Sequence, residues 1–333
     1  MKKVYLLTAV VAIVTVACTK NELPEISSKV QSFTVSMPEL NKETDTKTGL
    51  VLDGGKYNKL VWKNGDQLYV AYQSSLTGHG TDFIYDTYTT TNDGTTEAVF
   101  TKTSGSATGS GDYVVVYTGP TDYGKGIGEI FNAQLNEYFT VSIPTHQTYV
   151  ANGIAPLTMP MYAKSASLDD LSFECCGNIV RLNLYNGGSD VIKVTGITLS
   201  TTDPGNTGYN PIGGPFAFVI SKIDTDALKE QYGIWSAKGS SDSGSNSITL
   251  DCGEGTTLST DSEAPTSFNI VISRYHYNAP QAGGTSYIKA TIAYELNGVA
   301  QTAKEVTLTS LIQDKRKELG KIYSFKSKDI LSL

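Results

Sequence analysis

"SYIKATIAYEL", residues 286–296, places Ile288, Ala290, Ile292, Tyr294 and Leu296 on one side of an extended chain. Successive side chains of a strand point to opposite faces, so apolar residues at every second position describe a strand with one buried face. The same period recurs outward from this stretch. Downstream, "KEVTL" (304–308) and "KIYSFK" (321–326) are further strands. Upstream, "NIVRLNLY" (178–185) sets Val180, Leu182 and Leu184 against Arg181 and Asn183, and 191–200 is a strand open to interruption at Gly196. "PFAFVIS" (215–221), "NSITLDC" (246–252) and "SFNIVISRY" (267–275) follow, with Cys252 expected at the end of its strand.

The first half repeats the pattern. "SFTVSM" (32–37) alternates Phe33, Val35 and Met37, and in "KLVWKNGDQLYVAY" (59–72) a turn at Asn64-Gly65-Asp66 precedes Leu68, Val70 and Tyr72. Strands are also expected at 82–88, 97–102, 112–118, 138–144 and 158–163. Between them lie Gly, Ser, Thr and Asp clusters such as "TKTSGSATGSGD" (101–112), which supply turn conformations and bury little apolar surface. Longer loops are expected at 199–214 and 238–247. Only 224–232 and 309–319 have helical spacing, the latter with Leu311, Ile312, Lys315 and Leu319 ahead of Gly320. About fourteen short strands without regular strand–helix alternation define an all-β chain, enough for two sandwiches of about seven strands each. The polar stretch "MYAKSASLDD" (161–170) marks a boundary, dividing the chain into 30–166 and 167–333. Twenty tyrosines suit sheet faces, where a ring covers apolar surface and its hydroxyl meets water.

Ahead of the first strand, Lys2 and Lys3 lead into fourteen uncharged, mostly apolar residues, "VYLLTAVVAIVTVA". Crossing a bilayer takes about 20 such residues. The segment instead fits a signal peptide over 1–17. Thr15-Val16-Ala17 before Cys18 resembles a bacterial lipoprotein processing site, with Thr15 where leucine is commonest. Cys18 is thus expected to become the acylated N-terminus, with the polar stretch 18–29 as spacer; the plainer alternative is a secretory peptide that happens to contain a cysteine. Each buried methylene of an acyl chain contributes about 0.8 kcal/mol to membrane attachment.

The chain has 33 acidic and 26 basic residues, and loss of Lys2 and Lys3 moves the formal charge from −7 to −9. Such a surface excludes an electrostatic footprint for nucleic acid. Lys315-Arg316-Lys317 sits between Asp314 and Glu318 as a solvated face. Apart from Cys18 there are three cysteines, Cys175, Cys176 and Cys252, an odd number that makes no disulfide scaffold. Adjacent Cys175 and Cys176 should face opposite ways, one into the core and the other towards solvent or Cys252.

No constellation for catalysis emerges. His79, His146 and His276 share no ligand spacing, and neither HExxH nor paired CxxC motifs occur. There is no GxSxG elbow, and "DYGKGIGEIF" (122–131) lacks the phosphate-loop order. "TTDPGNTG" and "GSSDSG" are rich in oxygen but depart from the twelve-residue calcium loop. Trp62 and Trp235 are candidates for stacking on a sugar and equally for the core. No enzyme activity, metal or cofactor is expected.

"TKTG" (46–49) followed by "LVWKNGDQLYVAY" (60–72), then "GDYVVVYTGP" (111–120), "IPTHQTY" (143–149), "PLTMPMYAKS" (156–165), "LSFECCGNIVRLNLYN" (171–186) and "LGKIYSFK" (319–326) resemble, in that order, the fimbrillin family of Bacteroidales lipoproteins. Thr118 and Gly119 ahead of Pro120 depart slightly from the family's third segment. The family contains shaft, tip and anchor subunits of type V pili. The resemblance implies two transthyretin-like β-sandwich domains and an outer-membrane lipoprotein displayed at the cell surface as part of a fimbrium. Its partners would be other pilus subunits, joined by exchange of strands, with a role in adhesion.

By the same resemblance, Phe33, Val35 and Met37 mark the N-terminal strand that would leave after proteolysis. Ile322, Tyr323, Phe325, Ile330, Leu331 and Leu333 mark a C-terminal strand that would be donated. Family cleavage uses arginine, yet the arginines here are Arg181, Arg274 and Arg316, all far from the first strand. Lys42 and Lys47 would have to serve, or the strand and lipid are retained, as in an anchor or minor subunit. The competing reading is a non-polymerising surface lipoprotein that binds a glycan or a host protein.

Overall fold

The structure, a computed structural model, describes residues 30–38, 41–42, 60–72, 85–118, 131–132, 138–202, 212–219, 245–273, 287–308 and 320–333. The signal and spacer with Cys18, the segments 224–232 and 309–319, and Lys47, His79, Trp235 and His276 lie outside these residues. Among the described residues no helix is long and apolar enough to cross a membrane.

The described chain is built of strands. Its first part contains β1 (Ser32–Ser36), β2 (Asn41–Lys42), β3 (Gln67–Tyr72), β4 (Asp86–Thr90), β5 (Glu97–Gly105), β6 (Tyr113–Tyr117) and β7 (Phe131–Asn132). Next come β8 (Tyr138–Ile143), β9 (His146–Thr148), β10 (Met161–Ser165), β11 (Glu174–Cys175), β12 (Gly177–Tyr185), β13 (Ile192–Thr202) and β14 (Gly214–Val219). The last part holds β15 (Ser247–Thr257), β16 (Thr266–Ser273), β17 (Tyr287–Leu296), β18 (Val299–Ala300), β19 (Lys304–Leu308), β20 (Lys321–Ser324) and β21 (Lys328–Asp329), then a single 3-10 turn at Ile330–Ser332.

Four sheets result. A seven-stranded sheet runs β1-β5-β4-β3-β6-β10-β11, and its described pairings are antiparallel. A second runs β16-β12-β20-β2, with β21 also on β12, and here β20 lies parallel to both neighbours. A third runs β18-β17-β13-β15-β9 with β19 on β17, and a fourth β14-β8-β7. The segment 138–148 carries pairings between early and late sequence: β8 pairs with β14, and β9 lies parallel to β15.

Burial follows the side-chain pattern. β5 alternates, with Ala98 and Phe100 buried and Val99 exposed, whereas all of β6 is buried. Side chains on both faces of that strand are therefore covered, and a strand covered on both faces needs no alternation. In β17, Ile288, Ala290, Ile292 and Tyr294 are buried and share a core with Val180, Leu182 and Leu184 of β12 and Phe268 and Ile270 of β16.

Three details differ from the sequence expectation or refine it. β13 is continuous, but its register with both neighbours shifts between Val194 and Gly196, a bulge where interruption was open. Cys252 does not end its strand. β15 continues to Thr257 through Gly253 and Gly255, whose φ angles of +59° and +94° bend the backbone while pairing with β13 resumes at Thr256. Cys175 and Cys176 are both buried, so neither faces solvent. All three described cysteines are free thiols, and burial pushes Cys175 up to about 12 and Cys252 to about 11.

Candidate functional site

Within the seven-stranded sheet β1 is an edge strand among the described residues, paired with β5 in the register Ser32↔Thr101 to Ser36↔Glu97. Two further backbone bonds extend the pairing: Lys102 N donates to Gln31 O at 2.8 Å, and Met37 N donates to Thr96 O at 2.7 Å. Its side chains divide as the period requires. Phe33 and Val35 are 3% and 1% exposed, while Ser32, Thr34 and Ser36 face outward. Met37 is partly buried against the same core.

Beneath β1 lies an aromatic floor. Phe33 meets Tyr88 edge-on at 4.8 Å between centroids and stacks near Phe100 at 6.3 Å. Trp62, fully buried, meets Phe100 at 4.9 Å, Tyr117 at 5.6 Å and Phe173 at 6.1 Å. Two polar staples hold the strand from below: the Trp62 indole Nε1–H donates to Val35 O at 3.2 Å, and the Tyr88 hydroxyl donates to Val30 O at 2.9 Å. Burial, with the nearby Asp86 charge next, pushes the Tyr88 hydroxyl well above its ordinary range, so it stays a donor. Trp62 is therefore core, and its candidacy for stacking on a sugar is set aside. Its role at β1 carried no sequence signal, because the indole and the carbonyl it holds are 27 positions apart.

The tryptophan is positioned by the turn after it. Lys63 N donates to Asp66 Oδ2 at 2.8 Å, Gly65 N to Thr90 O at 2.9 Å, and the buried Tyr117 hydroxyl to Asp66 Oδ1 at 3.0 Å. Each Asp66 oxygen thus has a donor, which explains an aspartate only 4% exposed. Burial nonetheless outweighs these donors and raises its pKa above the usual aspartate value. At the far end of β5, Lys102 Nζ reaches Asp86 Oδ1 at 2.8 Å, and Ala107 N donates to the same oxygen, tying the β4–β5 pair together without β1.

The C-terminal residues named as a donor lie in the chain's own fold. Ile322 and Tyr323 are buried in β20, between β12 and β2, and Ile330 is fully buried. Phe325 and Leu333 are partly buried, while Leu331 is exposed at 43%. Phe325 N donates to Arg181 O, Asn183 Nδ2 donates to Phe325 O at 2.6 Å, and Lys304 Nζ donates to Leu333 O at 2.8 Å. Lys42 is also in a strand rather than an open loop: its backbone in β2 pairs with Ile322.

Gln147 is a second feature that the sequence left silent. Its amide accepts from Val271 N at 2.9 Å and donates to Val271 O at 2.7 Å, so a side chain replaces a neighbouring strand along β16. His146 beside it is exposed. Among the described residues no three His, Cys, Asp or Glu side chains gather as metal ligands.

No protein-family profile matches the sequence, and no curated protein does. Solved structures of similar trace exist. One from Bacteroides uniformis, described as a cell adhesion protein, has a TM-score of 0.39 and 14% identity over 81% of this chain and 89% of its own. A fimbrial protein from Bacteroides vulgatus has a TM-score of 0.37 and 12% identity over 83% and 89%. The tip fimbrial protein from Porphyromonas gingivalis has a TM-score of 0.32 and 10% identity over 83% and 81%. At such identity the description of this chain rests on its own strands.

Proposed function

We propose that this protein is a fimbrillin-type surface lipoprotein, tethered by Cys18 to the outer membrane, that joins other pilus subunits by exchanging its first strand. The observation that carries the proposal is β1, which among the described residues pairs with one strand and has two buried apolar side chains over an aromatic floor. A strand so placed can leave without breaking another pairing of its sheet, and the vacated edge of β5 offers backbone groups and apolar pockets to an incoming strand. The order of motifs in the sequence supports the same reading. The division into 30–166 and 167–333 belongs to this proposal, with β8 and β9 as the elements that join the two parts.

The topology adds a connection between the departing and donated segments. β2 follows β1 by only a few residues and covers the outer side of β20. Cutting beyond Lys42 and removing β1 with β2 would leave β20 at an edge, held by β12 alone. A protease site placed within residues 43–59 tests this. Cutting it in the purified protein should yield ladders that resist dissociation, together with faster hydrogen exchange at 321–333. A cut chain that stays monomeric, with its first strand still bound, would refute exchange.

A second reading has its own observation: the C-terminal run is already docked in β20 and β21. This suits a surface lipoprotein that binds a glycan or host protein without polymerising, and the same cut then yields no ladders.

A further inference from the structure

The last strand does not simply continue the one before it. β20 and β21 lie on the same side of β12, since β16 occupies the other side as far as Leu184. Between Ser324 and Lys328 the C-terminal run advances four residues while β12 advances three, from Arg181 to Leu184. The extra residue interrupts the ladder and bends the strand there. What lies beyond the bend is short: β21 with two register pairs, then the turn Ile330–Ser332.

That end is seated in a cradle made by two glycines of the β12–β13 loop. Gly187 N donates to Asp329 Oδ1 at 3.0 Å, and the same oxygen accepts from Leu331 N at 3.1 Å, capping the 3-10 turn. A Cβ on Gly187 would lie 2.5 Å from Asp329 Oδ2, and one on Gly188 would lie 3.0 Å from Leu331 Cδ1. Neither glycine has the left-handed φ that Gly105 and Gly320 show, so it is the docked run rather than the backbone that keeps side chains out. The loop is fixed from its own side. Buried Asn186 donates Nδ2 to Asp190 O at 2.6 Å, accepts from Gly188 N at 3.0 Å and donates its own N–H to Ser259 O at 2.8 Å. Asp329 thus joins a fixed loop to the segment beyond a bend. Next to it Ile330 is fully buried, while Leu331 is exposed.

We infer that Asp329 and Gly187 form a clasp that keeps residues 328–333 docked on their own chain, and that opening it presents Ile330, Leu331 and Leu333 to another subunit. The clasp rests on the contacts above, and the use of the freed run rests on the strand-exchange reading. A docked run and a donated run are then two states of one segment, and the clasp sets how often the second is visited.

Deuterium uptake over 328–333 in the full mature protein reads the clasp, with Thr249 N–H, bonded to Thr145 O, as the control. Gly187→Ala displaces the carboxylate and Asp329→Ala removes it. Each should speed uptake over 328–333 roughly tenfold, the low end for a hydrogen bond to a charged acceptor because water reaches this one, with Thr249 at the wild-type rate. Both break one contact, so the double variant should be no faster than Asp329→Ala. Asp329→Asn keeps an acceptor without the charge and should give a smaller increase. Uptake at the wild-type rate in Gly187→Ala, or effects that multiply in the double variant, would overturn the clasp. If Gly187→Ala unfolds and Thr249 loses protection, Asp329→Asn decides, and unchanged uptake there overturns it. After a cut within 43–59, Asp329→Ala should build ladders faster than wild type. Equal rates would overturn the clasp's part in donation. Ladders in neither protein would refute strand exchange, with the clasp judged by uptake alone.

Discussion

Phe33→Ala should release β1 while leaving the rest of its sheet folded. Phe33 is 3% exposed, 4.8 Å from Tyr88 and 6.3 Å from Phe100 between ring centroids, so truncation removes both of these ring contacts from the strand. Phe to Ala in a core costs about 3–5 kcal/mol. At an edge the vacated space can relax, so we take the lower end, about 3 kcal/mol, or roughly a hundredfold increase in opening at 1.4 kcal/mol per tenfold. The loss is local because β5 keeps its pairing with β4 and its Lys102–Asp86 ion pair. Amide hydrogen exchange reads this directly. Met37 N–H and Lys102 N–H are bonded across the β1–β5 seam, whereas Gly65 N–H is bonded to Thr90 O away from it. In Phe33→Ala the first two should exchange about a hundredfold faster and Gly65 at the wild-type rate. If all three lose protection together, β1 belongs to one cooperative core and cannot be traded. If none changes, Phe33 does not hold the strand.

Gly105→Ala should be among the most damaging single changes, lowering stability by at least ~2 kcal/mol in urea unfolding. Its φ is +98°, and a Cβ there would run into the Tyr85 carbonyl and the Asp86 backbone. Gln147→Leu keeps the side chain's bulk but strands the N–H and C=O of buried Val271, and should cost about 2–4 kcal/mol at ~1–3 per unmet group, partly relieved by water; a loss under half a unit would remove Gln147 as a strand surrogate. Because burial holds Asp66 above the ordinary aspartate range, the folded state keeps a proton that the unfolded chain releases first. This contribution is present at acid pH and lost as pH rises through the folded pKa, so Asp66→Asn should gain on wild type as pH rises above the ordinary aspartate value of 3.8, and the opposite trend in paired denaturation curves would reverse the assignment. Cys175 and Cys252, raised by burial to about 12 and about 11, should resist thiol reagents at mildly alkaline pH until denaturant is added.

What was legible in the sequence is what a period of two can carry. β19 falls on 304–308 as expected, and the strands around Val180, Leu250 and Ile292 lie within a residue or two of their expected starts because one face of each is buried. Legibility failed where a glycine with positive φ lets a strand bend and continue, as beyond Cys252, and where a side chain does the work of backbone, as at Gln147. Pairings between segments far apart in sequence leave no periodic mark either. That β2 lies against β20 and β9 against β15 follows from the path of the chain through space.

The candidate sites divide along the same line. Alternation makes Phe33 and Val35 visible as a half-buried strand, but being at an edge is a property of neighbours, and only the sheet order supplies it. For the C-terminal run the sequence supplies less still: that Ile322 and Tyr323 lie between β12 and β2 follows from the path of the chain, not from their alternation.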